Sequence, residues 1–262
     1  MLTTAKWSAM RLLLRTAGRA SQGVRIGYRH GFDSGTMLDY VYENRAHGHL
    51  GVGRLIDRVY LNAVGWRAIR ARRDLLKDVL REEMDLRGRP VRLLDVAAGP
   101  GRYLQDLLDE DTSYHAHRAL CRDLDPEGLR RGEAMAARRD LLNIAYEPGD
   151  AFDPEPPAFG PPDLIVVSGL YELILDEKTV RASMERLRGL LAPGGALVFT
   201  TQTRHPQLEF IANVLPNRDG DPWVMRCHAV EETEEWARDA GFTTVTSRRE
   251  KIGLFTVTTA AG

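Results

Sequence analysis

From Pro90 onward, short apolar runs alternate with amphipathic stretches. VRLLDVA (91–97) reads as a buried strand and GRYLQDLLDE (101–110) as a helix. HRALCRD (117–123) and PEGLRRGEAMAARR (126–139) repeat the pair, and a weak strand follows near Ile144 to Tyr146. LIVVSG (164–169) predicts a fourth strand, DEKTVRASMERLRGLL (176–191) a helix and ALVFTTQ (196–202) a fifth strand. EETEEWARDA (231–240) is helical in pattern, and TTVTSRR (243–249) and GLFTVTTA (253–260) are the last strands. Alternation on this scale predicts a mainly parallel sheet covered on both faces. Upstream, Leu55, Ile56, Val59 and Tyr60, then Ile69, Leu76, Val79, Leu80 and Met84, recur at helical spacing, and Gly65 is expected to break the run in two. Residues 23–53 hold Gly23, Gly27, Gly31, Gly35, Gly48, Gly51 and Gly53 and read as loops with a short helix at about 36–44. The pattern divides the chain into an N-terminal helical cap, residues 1–85, and one α/β domain, residues 86–262. The proline- and glycine-rich residues 154–162 form a surface loop within that domain.

Composition narrows the classes. With 262 residues, 43% hydrophobic and 28% charged, disorder is excluded as the general state. Lys+Arg number 36 against 37 Asp+Glu, so no whole-protein field attracts nucleic acid, and none is expected as a partner. Two distant cysteines, Cys121 and Cys227, make neither a disulfide framework nor a zinc motif and suit a cytoplasmic location. No His, Cys or Asp cluster has metal-ligand spacing, so no metal is expected. Near the amino terminus, Lys6, Arg11, Arg15 and Arg19 surround Leu12, Leu13 and Leu14. Arg15 cuts the apolar stretch too short for a secretion signal. The segment is either a helix packed over the domain with solvated arginines or a basic amphipathic helix making weak contact with a membrane surface. No apolar run approaches the roughly 20 residues that cross a bilayer.

The sharpest chemical signal is LLDVAAGPGRYL (93–104). A strand ends at Asp95, a turn carries Gly99 and Gly101, and a helix follows. Glycine is needed where the backbone turns sharply or approaches a ligand closely. The phosphate-loop pattern GxxxxGK[ST] and the dinucleotide pattern GxGxxG are both absent. CRDLDPEGL (121–129) places Asp123 at the end of the next strand, where a carboxylate can accept both hydroxyls of a ribose. Asp125 and Pro126 have a structural explanation as N-cap and first helical residue. EPGDAFDP (147–154), after the third strand, sets an acid beside a small and an aromatic residue, which suits a nucleobase amine and ring but is also a common loop.

In this order and spacing the three segments resemble the class I S-adenosylmethionine-dependent methyltransferases over about residues 91–260, and LLAPGGALVFT (190–200) fits that group's helix, proline-glycine turn and strand. The resemblance implies a Rossmann-like α/β fold with a seven-stranded sheet in the order 3-2-1-4-5-7-6, only the last strand antiparallel. It implies S-adenosylmethionine as cofactor, with Asp95, Gly99 and Gly101 at the methionine end, Asp123 at the ribose and Asp150 at the adenine amine. Ala97, Tyr103, Leu124 and Ala151 flank these positions and, with Ser168 at the end of LIVVSG, are assigned to the same site. One departure is Ala97, which stands where the group has its first glycine. GFDSGTMLDYVYENRAHG (31–48), SGLYEL (168–173) and TRHPQLEFIA (203–212) look like a bacterial methyltransferase family that occurs alone or fused to α/β-hydrolase domains, with mostly undefined substrates.

In open α/β sheets the ligand lies outside the carboxyl ends of the strands. That edge makes Tyr171, Glu172 and His205 the catalytic candidates. Tyr171 either faces a sulfonium or a nucleophile, or is a core tyrosine with a satisfied hydroxyl. Glu172 is a base or an arginine partner, and His205 acts on the acceptor or caps the QLEFIA helix. Tyr28, Tyr40, Tyr42 and Asn44 are candidates for a substrate-covering lid, because residues 28–47 carry more hydrogen-bonding groups than a packing cap needs. Methyl transfer depends on positioning and desolvation more than on acid–base groups. The expected activity is methyl transfer to a small molecule in a cap-covered site. The alternative is a cyclase in which the donor's own amine attacks Cγ and expels methylthioadenosine.

Overall fold

The computed structural model describes residues 2–262. Seven strands form one sheet: β1 (Arg92–Asp95), β2 (Arg118–Asp123), β3 (Ile144–Pro148), β4 (Leu164–Val167), β5 (Ala196–Gln202), β6 (Thr244–Arg249) and β7 (Phe255–Ala261). Their order is β3-β2-β1-β4-β5-β7-β6. The pairs from β3 to β5 are parallel, and β7 runs antiparallel to both β5 and β6. This is the order expected from the sequence resemblance. The central strands are buried on both faces: all of β4 and all seven residues of β5 are buried, the last three of β5 being the polar Thr200, Thr201 and Gln202. The edge strands β3 and β6 are partly exposed, and β6 carries Arg248 and Arg249, charges that discourage edge-to-edge pairing.

Seventeen residues of the chain's helical periodicity translate directly into the layers over this sheet. Two helices set the pattern: α7 (Pro126–Arg138) follows β2 and α8 (Glu177–Leu190) precedes β5.

 The seventeen are the buried positions of four helices: five in α6 (Arg102–Leu108), five in α7, four in α8 and three in α10 (Val230–Asp239). Val180, Met184 and Leu187 of α8, with Trp236 and Ala237 of α10, pack with Ile165, Val167, Leu197 and Phe199 of the sheet. Spacings of three and four put such side chains on one helix face. The helix starts are capped as the sequence requires. Asp125 accepts from the Glu127 amide and is followed by Pro126, and Asp176 accepts from the amides of Lys178 and Thr179.

The remaining helices are α1 (Leu2–Arg15), α2 (Gln22–His30), α3 (Gly35–Glu43), α4 (Leu50–Leu61), α5 (Val64–Arg87) and α9 (Leu208–Val214). The chain falls into two compact units, residues 1–70 with 205–225, and residues 71–204 with 226–262. The expected boundary after residue 85 therefore moves to 70/71. The reason is that α5 is one continuous helix of 24 residues, and its first turns belong with the N-terminal unit. The helix break falls at Asn62 and Ala63, leaving Gly65 inside α5. Residues 205–225 join the N-terminal unit through side chains remote in sequence: Trp223 stacks on Trp66, Phe210 lies against Trp7, and Arg218 pairs with Asp33.

The glycine-dense segment is more helical than its composition suggests. In α2, a β-carbon at Gly23 would come within 2.6 Å of the Tyr60 ring, and one at Gly27 within 2.3 Å of Phe32. These glycines admit aromatic rings against a helix instead of marking loops. The unit is organised around Asp57, which is fully buried. One carboxylate oxygen accepts from the Ser21 hydroxyl at 2.5 Å and the Gly23 amide at 2.9 Å; the other accepts from the Tyr40 hydroxyl and from the His47 amide at 2.9 Å. Asp57→Ala strands all four donors. We expect a loss of about 2–4 kcal/mol in urea unfolding monitored by tryptophan fluorescence, and a loss of only about 1–2 kcal/mol for Tyr40→Phe.

Candidate functional site

The C-terminal edge of the sheet is built around two aspartates. Asp95 ends β1 and is fully buried. The Tyr103 hydroxyl of α6 donates to its Oδ2 at 2.5 Å, while Oδ1 is buried without a partner. Burial pushes its carboxyl up to about 7; the hydroxyl of Tyr103 and the Ala97 amide pull it down, and the charge of Asp123 pushes it up. The turn that follows needs left-handed backbone at Gly99 (φ 52°) and Gly101 (φ 64°). A β-carbon at Gly101 would come within 2.8 Å of Cys121 Sγ, so this glycine answers to packing inside the fold. Asp123 ends β2 and holds the turn: its Oδ2 accepts from the Gly99 amide at 2.8 Å, and its Oδ1 from the Asp125 amide at 2.9 Å. Its neighbour Asp125 was expected to be the one with a structural role; the structure gives one to Asp123 as well. Each carboxylate oxygen keeps acceptor capacity beyond these single bonds.

Register brings the other cofactor candidates to the same edge. Asp123 pairs with Pro148 across the β2–β3 ladder, which sets Asp150 two residues beyond it. Asp150 is exposed, and its Oδ1 accepts from the Phe152 amide. Leu124 is 68% exposed beside Asp123, while Ala97 is half-buried and Ala151 buried against the core. Ser168 follows β4 with a buried hydroxyl that has no partner.

The acceptor candidates are rearranged. Tyr171 points into the core, where it packs against Phe199 and its hydroxyl lies 3.2 Å from Ser183 Oγ; burial pushes its phenol up. This is the core-tyrosine reading, and it removes Tyr171 from the reacting edge. Glu172 is buried and pairs with Arg72 at 2.9 Å, so it is an arginine partner and is already charge-compensated. The Arg72 guanidinium in turn lies over the Phe255 ring. His205 belongs to the N-terminal unit, where its Nδ1 accepts from the Gln207 amide at 3.1 Å and its Nε2 lies against Gly65. The histidine thus braces the turn that leads into α9, whose start has no side-chain cap bond. Burial lowers its imidazole pKa.

The residue missed in the sequence is His228, which joins Gln202 at the end of β5. Gln202 is buried and its amide nitrogen lies 3.5 Å from Cys227 Sγ. His228 is 3% exposed; its amide donates to the Gln202 carbonyl, its Nδ1 lies 3.1 Å from Glu232, and its Nε2 is buried without a partner. His228 sits in an unstructured stretch before α10, with no periodicity to single it out. Buried polar atoms are almost always bonded. Here Asp95 Oδ1, Ser168 Oγ, Glu172 Oε2 and His228 Nε2 all lack partners, and all belong to the C-terminal edge of one sheet.

The lid candidates belong to the N-terminal unit. Tyr40 is consumed by Asp57, Tyr28 packs edge-on to Phe32, Tyr42 is half-buried on α3, and Asn44 ends α3 in left-handed backbone. Ser34 caps α3, Asp33 pairs with Arg218 and Glu43 with His47. Many of the segment's polar groups are thus bonded inside this unit, while the Tyr28 hydroxyl, Asp33 Oδ1 and Thr36 Oγ1 are buried without a hydrogen-bond partner.

The raised carboxyl of Asp95 has a consequence for stability. A group whose folded pKa lies above its unfolded value favours folding when protonated, and that contribution is lost as pH rises through the folded value. The difference in melting temperature between the ligand-free protein and Asp95→Asn should therefore shift in favour of the variant between pH 5 and 8. Parallel melting curves at both ends of that range measure it.

Comparison with known proteins agrees with this fold. The model of a family described as "Putative methyltransferase" matches residues 1–262. The "Uncharacterized protein YnbC" of Escherichia coli K12 is 42% identical over 258 residues, 96% of this chain; the chain spans 44% of that protein's length. Among solved structures, a possible exported protein from Bordetella parapertussis superposes with a TM-score of 0.69 at 22% identity, over 86% of this chain and 78% of that one. The 1,6-didemethyltoxoflavin-N1-methyltransferase of Burkholderia thailandensis, solved with 1,6-didemethyltoxoflavin and S-adenosylhomocysteine, gives 0.53 at 22% identity, over 73% and 78%. With the sheet order of the class I methyltransferases and a family match along its full length, this chain belongs to that methyltransferase family.

Proposed function

We propose that the chain is an S-adenosylmethionine-dependent methyltransferase acting on a small molecule. The observation that carries this reading is the set of unpartnered buried atoms at the sheet edge, headed by Asp95 Oδ1 beside the glycine turn. The residues fit the cofactor. The free oxygen of Asp95 suits an ammonium group, Asp123 retains acceptor sites for ribose hydroxyls, and exposed Leu124 and Asp150 offer an apolar face and a carboxylate to a nucleobase. When bound, S-adenosylmethionine supplies an electrophilic methyl group on a sulfonium that needs no acid to leave.

The chain's own task is to orient the acceptor, exclude water and, where the nucleophile is protonated, take its proton. His228 is the residue we assign to the proton. With Nδ1–H directed at Glu232, its Nε2 presents a lone pair with no competing donor. The buried Arg72–Glu172 pair fixes the neighbouring backbone, where the Arg226 amide donates to the Glu172 carbonyl. A small acceptor is supported by the net charge of −6 on the unit holding the site, which repels polyanions, and by the 1,6-didemethyltoxoflavin bound in the Burkholderia thailandensis neighbour. A cytoplasmic location is supported by the two free cysteines, one buried and one half-buried. Among the described residues, no helix is long and apolar enough to cross a membrane.

Calorimetry with S-adenosylmethionine tests the cofactor assignment. Asp123→Ala should weaken binding about 10- to 100-fold, the equivalent of roughly 1.5–3 kcal/mol for a charge-assisted hydrogen bond. Unaltered affinity in a folded variant would refute the ribose assignment. For turnover, S-adenosylhomocysteine is the expected nucleoside product when a panel of small amines and alcohols is supplied; methylthioadenosine would show internal cyclisation instead. With an acceptor in hand, His228→Ala should lower kcat about 100-fold or more while leaving cofactor affinity unchanged.

A further inference from the structure

The near-neutral chain hides a charge asymmetry between its units. The unit of residues 1–70 and 205–225 holds 12 Lys+Arg against 7 Asp+Glu, a net +5, and the other unit carries −6. Within residues 1–70 only four acids oppose eleven bases. Asp39 and Asp57 are buried, Asp33 faces Arg218, and Glu43 faces His47.

The bases concentrate around α4. A cleft of about 450 Å³ is lined by Asn44, Arg45, Ala46, Arg54, Arg58, Leu61 and Asn62, with no carboxylate among them. Arg45, Arg54 and Arg58 are exposed, and none has an ion-pair partner among the described residues. Arg54 and Arg58 stand one turn apart, so their mutual repulsion is uncompensated. The adjacent face of the same helix is apolar: Val52, Leu55 and Val59, spaced three and four apart, are 71%, 61% and 67% exposed. Such a stripe at helical spacing normally faces a core. Leu12 and Leu13 of α1 are also exposed, at 65% and 61%, and α1 and α4 both pack on the turn Ala17–Ala20.

We propose that α4 lies on an anionic phospholipid bilayer. Val52, Leu55 and Val59 enter the headgroup–acyl boundary, and Arg45, Arg54 and Arg58 receive lipid phosphates in the adjoining cleft. An exposed apolar stripe flanked by unpaired guanidinium groups is the chemistry of an interfacial helix. It matches a surface that offers phosphate above and hydrocarbon below, which neither a free anion nor an apolar protein groove does. One of the two readings of the N-terminal segment placed weak membrane contact on α1; apolar and cationic exposure coincide on α4 instead.

Vesicle co-sedimentation of the full chain tests this. The protein should associate with phosphatidylglycerol-containing vesicles and not with pure phosphatidylcholine, and the association should fall with added salt. Arg54→Glu/Arg58→Glu should weaken it about tenfold or more, since each basic residue near such a surface contributes roughly a fivefold factor. Val52→Ser/Leu55→Ser/Val59→Ser should weaken it comparably. These side chains are exposed, and unchanged melting curves confirm that the variants fold. No preference for anionic vesicles at low salt overturns the proposal. So does undiminished binding by either variant, which would place adhesion elsewhere. Calorimetric binding of inorganic pyrophosphate without vesicle association overturns it as well, since the cleft would then serve a free anion.

Discussion

The carboxylate of Asp123 ties the candidate site together. By accepting from the amides of Gly99 and Asp125, it joins the turn after β1 to the end of β2 and to the start of α7. A left-handed turn with two glycines is conformationally free in the unfolded chain, and fixing it costs entropy. A charged acceptor offsets that cost more strongly than a neutral one. The cradle is thereby held in shape by the same residue that is suited to a ribose. Its removal is expected to loosen the turn as well as delete a contact.

A second constraint is the polar load of the sheet edge. Parallel strands end with carbonyls and side chains directed at one side, and the crossings between them leave a crevice there. The chain places Asp95, Ser168, Glu172 and His228 at this edge with unpartnered buried atoms. Each costs stability when unsatisfied. The sheet beneath them compensates with β4 and β5, whose residues are buried throughout. Sites that bind ligands are commonly built at such expense. Asp95 expresses it most clearly, as a carboxyl raised to about 7 by burial.

The N-terminal unit follows a different logic. Its interior is knitted by a single buried carboxylate, Asp57, and by glycines that let aromatic rings close on α2. Using its few acids internally leaves Arg45, Arg54 and Arg58 exposed around a cleft that no carboxylate lines. A balanced whole-chain charge therefore conceals a cationic unit and an anionic one. Electrostatic arguments from composition apply to compact units and not to the chain as a whole.

The sequence by itself determined the α/β alternation, the strand limits to within a few residues and the glycine turn between β1 and α6. Apolar runs of four to seven residues fit strands buried on both faces, and Asp–Pro and glycine turns mark helix starts through local backbone preference. Asp95 and Asp123 were legible as the last residues of their strands, and Asp150 as the acid two residues beyond the third strand. What only the tertiary structure decided depends on contacts remote in sequence. Tyr171 and Glu172 stand side by side in one short motif, yet one enters the core toward Ser183 and the other pairs with Arg72, 100 residues away. His228 acquires its orientation from Glu232 and from the end of β5, and residues 205–225 join the N-terminal unit through Trp66 and Trp7. Side-chain direction in loops, the partition of charge between units and the choice of which glycines pack rather than turn are set by packing, for which local sequence carries no periodic signal.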